Sequence, residues 1–108
     1  MFQVAVGPAI YTAIKVESLK TDGQVFGLCD NLDKEISVRA GMQPVQELQT
    51  TLHELLHAVI NEYAIRNAAK LEPDDEEVIV DLVALGLAQA FVSSPQLMKY
   101  IQDRIKGK

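Results

Sequence analysis

The hydrophobic pattern of this chain changes period once, at Pro44, and that change limits what it can fold into more than any other feature. Before it, apolar residues alternate or come in short runs; after it, they recur every three or four positions. Phe2 to Val6 and Ile10 to Val16 are apolar-rich and flank Gly7-Pro8, which predicts an antiparallel hairpin. Beyond the turn-like Thr21-Asp22-Gly23, QVFGLCD at 24–30 reads as a third strand. The polar turn NLDK then leads into EISVRA, where Ile36, Val38 and Ala40 point one way and Glu35, Ser37 and Arg39 the other. That alternation marks a half-buried strand, expected at a sheet edge.

From Pro44 onward, Val45, Leu48, Leu52, Leu55, Leu56, Val59, Ile60 and Tyr63 keep helical spacing, and Pro44 suits a first helical turn. Gln49, Thr50, His53, Glu54, His57 and Asn61 occupy the opposite, polar face. Pro73 interrupts the pattern. A second helix is expected from about Asp75 to Val92, with acids in its first turn where the helix dipole favours them. Being apolar on nearly every side, it is predicted to lie inside the domain. Ser94-Pro95 starts a third helix, with Leu97, Met98, Ile101 and Ile105 as its expected buried stripe. Strands followed by helices predict an α+β fold: an antiparallel or mixed sheet of three to four strands against the first helix, a buried second helix and a short C-terminal one. At 108 residues this is one domain spanning 1–108.

Composition narrows the functions. With 10 Lys+Arg against 15 Asp+Glu, the net charge is -5, and no basic patch offsets it, which argues against nucleic acid or an anionic membrane as partner. Cys29 is the single cysteine, so no intrachain disulfide can form; a reducing compartment is expected, with Cys29 as a small core residue. No cationic leader precedes an apolar run at the start, and no stretch reaches the ~18 apolar residues of a membrane span, so a cytoplasmic location is predicted.

Both histidines of the chain lie in TLHELLHAVI, as His53 and His57 with Glu54 between. Four residues apart on a helix, the imidazoles share a face and can serve one ion, while Glu54 stands where a carboxylate can take a proton from a metal-activated water. With no third histidine, a carboxylate must complete the ligand set. Glu77 is the candidate, with Asp81 one turn further on accepting the free ring N–H of His53 or His57; the reverse, Asp81 on the metal and Glu77 outside, remains open. Asp81 is singled out because an acid on so apolar a helix is expected to be buried and to need a partner. The run EPDDEE at 72–77 accounts for Glu72, Asp74, Asp75 and Glu76 as solvated helix-start acids.

HELLH at 53–57 followed by EVIVD at 77–81 resembles the HExxH plus ExxxD signature of the gluzincin metallopeptidases, the thermolysin-like group. The chain as a whole is similar to small phage and prophage proteins of the ImmA/IrrE-like metallopeptidase type. The resemblance implies a zincin-like fold binding Zn2+ through His53, His57 and Glu77, with Glu54 as general base in peptide-bond hydrolysis. It also implies a protein or peptide substrate, such as a regulatory protein. Members of that group stabilise the oxyanion with a further histidine or tyrosine; here Tyr11, Tyr63, Tyr100, Arg39 and Arg66 are the candidates, and no spacing selects one. The alternative is a catalytically inactive module of the same fold that binds a phage or bacterial regulatory protein. A peptide adding to EISVRA as an extra strand would suit either reading.

Overall fold

A computed structural model of the chain describes residues 1–17 and 26–107. The fold is α+β: a four-stranded mixed sheet carries four helices, in the order β1 (Phe2–Val6), β2 (Ala9–Val16), β3 (Gly27–Asp30), β4 (Glu35–Arg39), α1 (Pro44–Glu62), α2 (Ile65–Ala68), α3 (Pro73–Ser93) and α4 (Pro95–Lys106). The expected turn at 21–23 and the first residues of the expected third strand lie outside the described residues.

Gly7 takes a φ of 57°, which L side chains rarely adopt, and Pro8 follows with its ring-fixed φ, so the chain reverses between β1 and β2 within two residues. β1 and β2 pair antiparallel, with Phe2 opposite Ala13. The sheet order is β1-β2-β4-β3. β4 runs parallel to β2 and antiparallel to β3, so EISVR is a central strand and not the edge its alternation suggested. Alternation reports which face is covered and carries nothing about lateral neighbours. Among the described residues, the edge on this side of the sheet belongs to β3.

Tyr11 and Ala13 on β2, with Ile36 and Val38 on β4, are fully buried beneath α1 and meet Ala58 in the core. Their i, i+2 spacing puts them on one face of the pleat, as the sequence pattern required. α1 lies between the sheet and α3, so its polar stripe does not face open solvent: Thr50, His53 and His57 are half-buried and Glu54 is buried.

Two expectations fail in the C-terminal half. α3 buries Glu76, Val80, Ala84 and Ala88 toward α1, but Val78, Ile79, Leu82, Val83, Leu85 and Val92 are exposed, so it is a one-sided outer layer and not an internal helix. No residue of α4 is buried; Leu97, Met98 and Ile101 are half-covered and Ile105 is exposed. The physical reason is the same for both: among the described residues no further layer lies outside α3. Among the described residues no single helix is long and apolar enough to cross a membrane.

Candidate metal centre

Two helices converge on one point. α1 presents His53 and His57 one turn apart, and α3 brings its first turns against them. The start of α3 is fixed locally by Pro73 at N1 and by a capping box: the Glu72 side chain accepts from the backbone N–H of Asp75, and the Glu72 N–H donates to Asp75 Oδ2 at 3.0 Å. Glu76 closes the first turn, Glu77 follows it and Asp81 lies one turn further on.

The two Nε2 atoms face each other at 3.2 Å, and the Glu77 carboxylate closes the triangle, with Oε1 2.9 Å from His53 Nε2 and Oε2 3.2 Å from His57 Nε2. His53, His57 and Glu77 are the described residues that could together hold a metal ion. Four ligands placed tetrahedrally about 2.0–2.1 Å from a zinc ion would stand roughly 3.3–3.4 Å apart. The observed triangle is that size to within a few tenths of an ångström, so donor set and spacing both fit a small divalent cation.

The outer ring nitrogens are held as well. His53 Nδ1 lies 3.0 Å from Asp81 Oδ1, and His57 Nδ1 lies 2.6 Å from Glu76 Oε2. A carboxylate at Nδ1 favours the tautomer with the proton there, which leaves each Nε2 lone pair directed inward. Asp81 thus stands beside a histidine as anticipated, but not for the reason given: its side chain is 62% exposed, against 8% for Glu76. Glu76 is the buried acid, and reading it as one more solvated member of the acidic run was wrong. A signal was present in its four-residue spacing from Val80 and Ala84, which puts it on the α1-facing stripe.

Arg66, the second residue of the short α2, donates from Nε (2.9 Å) and Nη2 (2.7 Å) to Glu76 Oε1. Burial pushes the Glu76 carboxyl up, but the hydrogen bond from His57 and the Arg66 guanidinium outweigh it and hold the group below the ordinary carboxylate range. The left-handed Ala64 (φ 52°) precedes α2, reversing the chain after α1 so that Arg66 faces this carboxylate.

Glu54 lies on the sheet side of the histidines. Burial raises its carboxyl; His57 opposes the rise and the Glu77 and Asp81 charges add to it, leaving it at about 7. β3 comes very close here: a Cβ on Gly27 would stand 2.8 Å from Thr50 Cγ2 and 2.9 Å from Glu54 Oε2, so any larger residue would displace the Thr50 and Glu54 side chains. The cleft on both sides of Glu54 is bounded by Phe26, by Gly27 and Leu28 of the β3 edge, by the histidines, and by Glu77 and Asp81. Cys29 also lines it, but burial, reinforced by the Glu54 and Asp30 charges, pushes its thiol up to about 12, which keeps it a neutral, weakly nucleophilic group.

The oxyanion candidates scatter. The Tyr11 hydroxyl is turned away, donating to Glu62 Oε2 at 2.7 Å with Asn31 Oδ1 3.0 Å off. Arg39 stacks on Phe26, and Tyr63 and Tyr100 are exposed. Arg66 alone of the five lines the cleft, and it is tied to Glu76. Compared with protein-family models, with curated proteins and with solved structures, the chain finds no match in any of the three. A functional reading therefore stands on the site itself.

Proposed function

We propose that the protein is a minimal zinc-dependent metallopeptidase of the gluzincin type, with His53, His57 and Glu77 as ligands and Glu54 as general base. One observation carries the reading: both Nε2 atoms converge on the Glu77 carboxylate while both Nδ1 atoms are held by separate carboxylates. A surface cluster formed by charge pairing alone has no need to orient all four ring nitrogens.

When bound, a zinc ion supplies Lewis acidity and lowers the pKa of a coordinated water. The chain's own groups do the rest. Glu54, buried and adjacent to the histidines, accepts a proton from the attacking water and returns it to the leaving amine. Asp81 and Glu76 keep the imidazoles in register through the cycle. Gly27 lets the β3 edge reach Glu54, so a peptide pairing with that edge would lay its backbone across the cleft.

The second reading, a metal-binding module without turnover, is favoured by one specific feature: the cleft lining includes no tyrosine, and its one arginine is already paired. Elemental analysis and zinc calorimetry on the parent and on His53→Ala and Glu77→Ala variants test the centre. Stoichiometric zinc in the parent and its loss in both variants is expected; a parent that takes up no zinc would sink both readings. Hydrolysis of an unfolded protein substrate then separates them. Glu54→Gln is expected to keep the metal and lose about 10²–10⁴-fold in rate. Zinc binding without any hydrolysis would leave the binding module.

A further inference from the structure

α3 carries a second stripe that none of the described residues covers. Val78, Leu82, Leu85, Gln89 and Val92 are all exposed and follow one another at spacings of four, three, four and three. That is the 3.5-residue repeat of a helix-pairing seam, with Gln89 its one polar member. Leu82, near its centre, is 64% exposed. Gly86 leaves open space beside it: a Cβ there would meet nothing within 4 Å. Aliphatic grooves flank the helix on both sides, one of about 310 Å³ between Val45 and Leu85, the other of about 280 Å³ between Leu56 and Ile79.

The whole chain shows the same surplus. It exposes 7451 Å², where a compact monomer of its 11.9 kDa would expose about 6,000 Å². The excess of about 1,500 Å² is more than the roughly 800 Å² that each partner gives to a standard interface. We propose that the outer face of α3 is a homodimer interface, on which the α3 of a second copy packs antiparallel.

Charge selects both the occupant and its direction. Between Val78 and Met98 the only charged residue is Asp81, which is engaged by His53. A partner must therefore bring an uncharged aliphatic face, and a second copy brings one by identity, as an isologous interface requires. The N-terminal end of α3 exposes Glu72, Asp74 and Asp75, whereas α4, which follows its C-terminal end, carries Lys99 paired with Asp103 and, beyond that pair, the cations Arg104 and Lys106. Parallel pairing would stack two acidic turns. Antiparallel pairing turns each acidic end toward the partner's basic end and opposes the two helix dipoles.

Sedimentation equilibrium of the intact protein, from low to high micromolar concentration, tests this. The parent is expected to reach twice its monomer mass, and Leu82→Glu and Val78→Lys to fall back to monomer with unchanged circular dichroism and unchanged zinc stoichiometry. Because both positions are exposed in the single chain, their charge does not enter its core. Under oxidation, Gly86→Cys is expected to link to its copy near the helix midpoint and Val78→Cys to remain unlinked, with the parent as control for Cys29. A parent that stays monomeric, a dimer insensitive to both charge variants, or self-linkage through Val78→Cys would overturn the proposal. So would a monomer that floats with phosphatidylcholine vesicles, which would assign the face to a membrane surface. None of these residues belongs to the metal cluster, so the interface and the proposed activity stand or fall separately.

Discussion

Glu76 and Glu77 are neighbours in sequence and opposites in role, because one residue on a helix is a turn of about 100°. That rotation sends Glu77 to the two Nε2 atoms and Glu76 beneath them to His57 Nδ1, where Arg66 completes its hydrogen bonding. Among the described residues no buried side-chain polar atom lacks a partner, so removing Glu76 has consequences on both sides. Glu76→Ala is expected to weaken zinc affinity by about 10–100-fold, the usual cost of losing a group that orients a ligand histidine. Calorimetric titration checks it, with circular dichroism of the metal-free variant to show that the fold persists. An unchanged affinity would mean that α1 alone orients His57. That His53 and His57 share one face could be read from residue types and helical spacing, but the choice between Glu77 and Asp81 as their third partner and the identity of the buried acid could not. Both depend on which side of α3 meets α1, a fact of packing.

At the scale of elements, the start of α4 shows local sequence acting on its own. Ser94 Oγ accepts from the backbone N–H of Leu97 at 3.1 Å and Pro95 occupies the first helical position, as the Ser-Pro pair foretold. Since no residue of α4 is buried, this cap carries more of the helix's stability than it would in a packed helix. Ser94→Ala is expected to cost about 1 kcal/mol, read from urea unfolding and from loss of helical signal in the twelve residues of α4. β4 teaches the converse. Its alternation correctly marked Ile36 and Val38 as core, yet its place between β2 and β3 follows from the parallel pairing with β2, which involves residues far apart along the chain. α3 failed for a related reason: an all-round apolar helix is expected to be internal only if enough chain remains to surround it, and here α4 turns away by 95°.

For the molecule as a whole, Glu62 ties the two layers together. Its Oε2 accepts from Lys34 Nζ at 2.6 Å, from the Tyr11 hydroxyl at 2.7 Å and from Asn61 Nδ2 at 3.2 Å, joining the end of α1 to β2 and to the β3–β4 turn. The Lys34 hydrogen bond, with help from Tyr11, lowers the Glu62 carboxyl below its ordinary value. A carboxylate lowered in the folded state stabilises it above the unfolded pKa of about 4.3, and that contribution is lost as the pH falls through the folded value. Stability is therefore expected to drop on acidification below about pH 4.3, and Glu62→Gln to flatten that limb. Thermal melts across pH check the sign, and a variant with the parent's acid profile would remove Glu62 from the account. By itself the sequence determined the two periodicities, the order of the elements apart from the short α2, the helix starts at Pro44 and Ser94, and the sharing of one helical face by His53 and His57, because each is set by dihedral preference and residue spacing within a few turns. Only the tertiary structure decided that β4 is central, that β3 is the edge beside Glu54, that Glu76 is the buried acid and that α3 is bare on its outer side. Those depend on which surfaces meet, and a pattern of hydrophobicity records that a residue seeks cover without recording what will cover it.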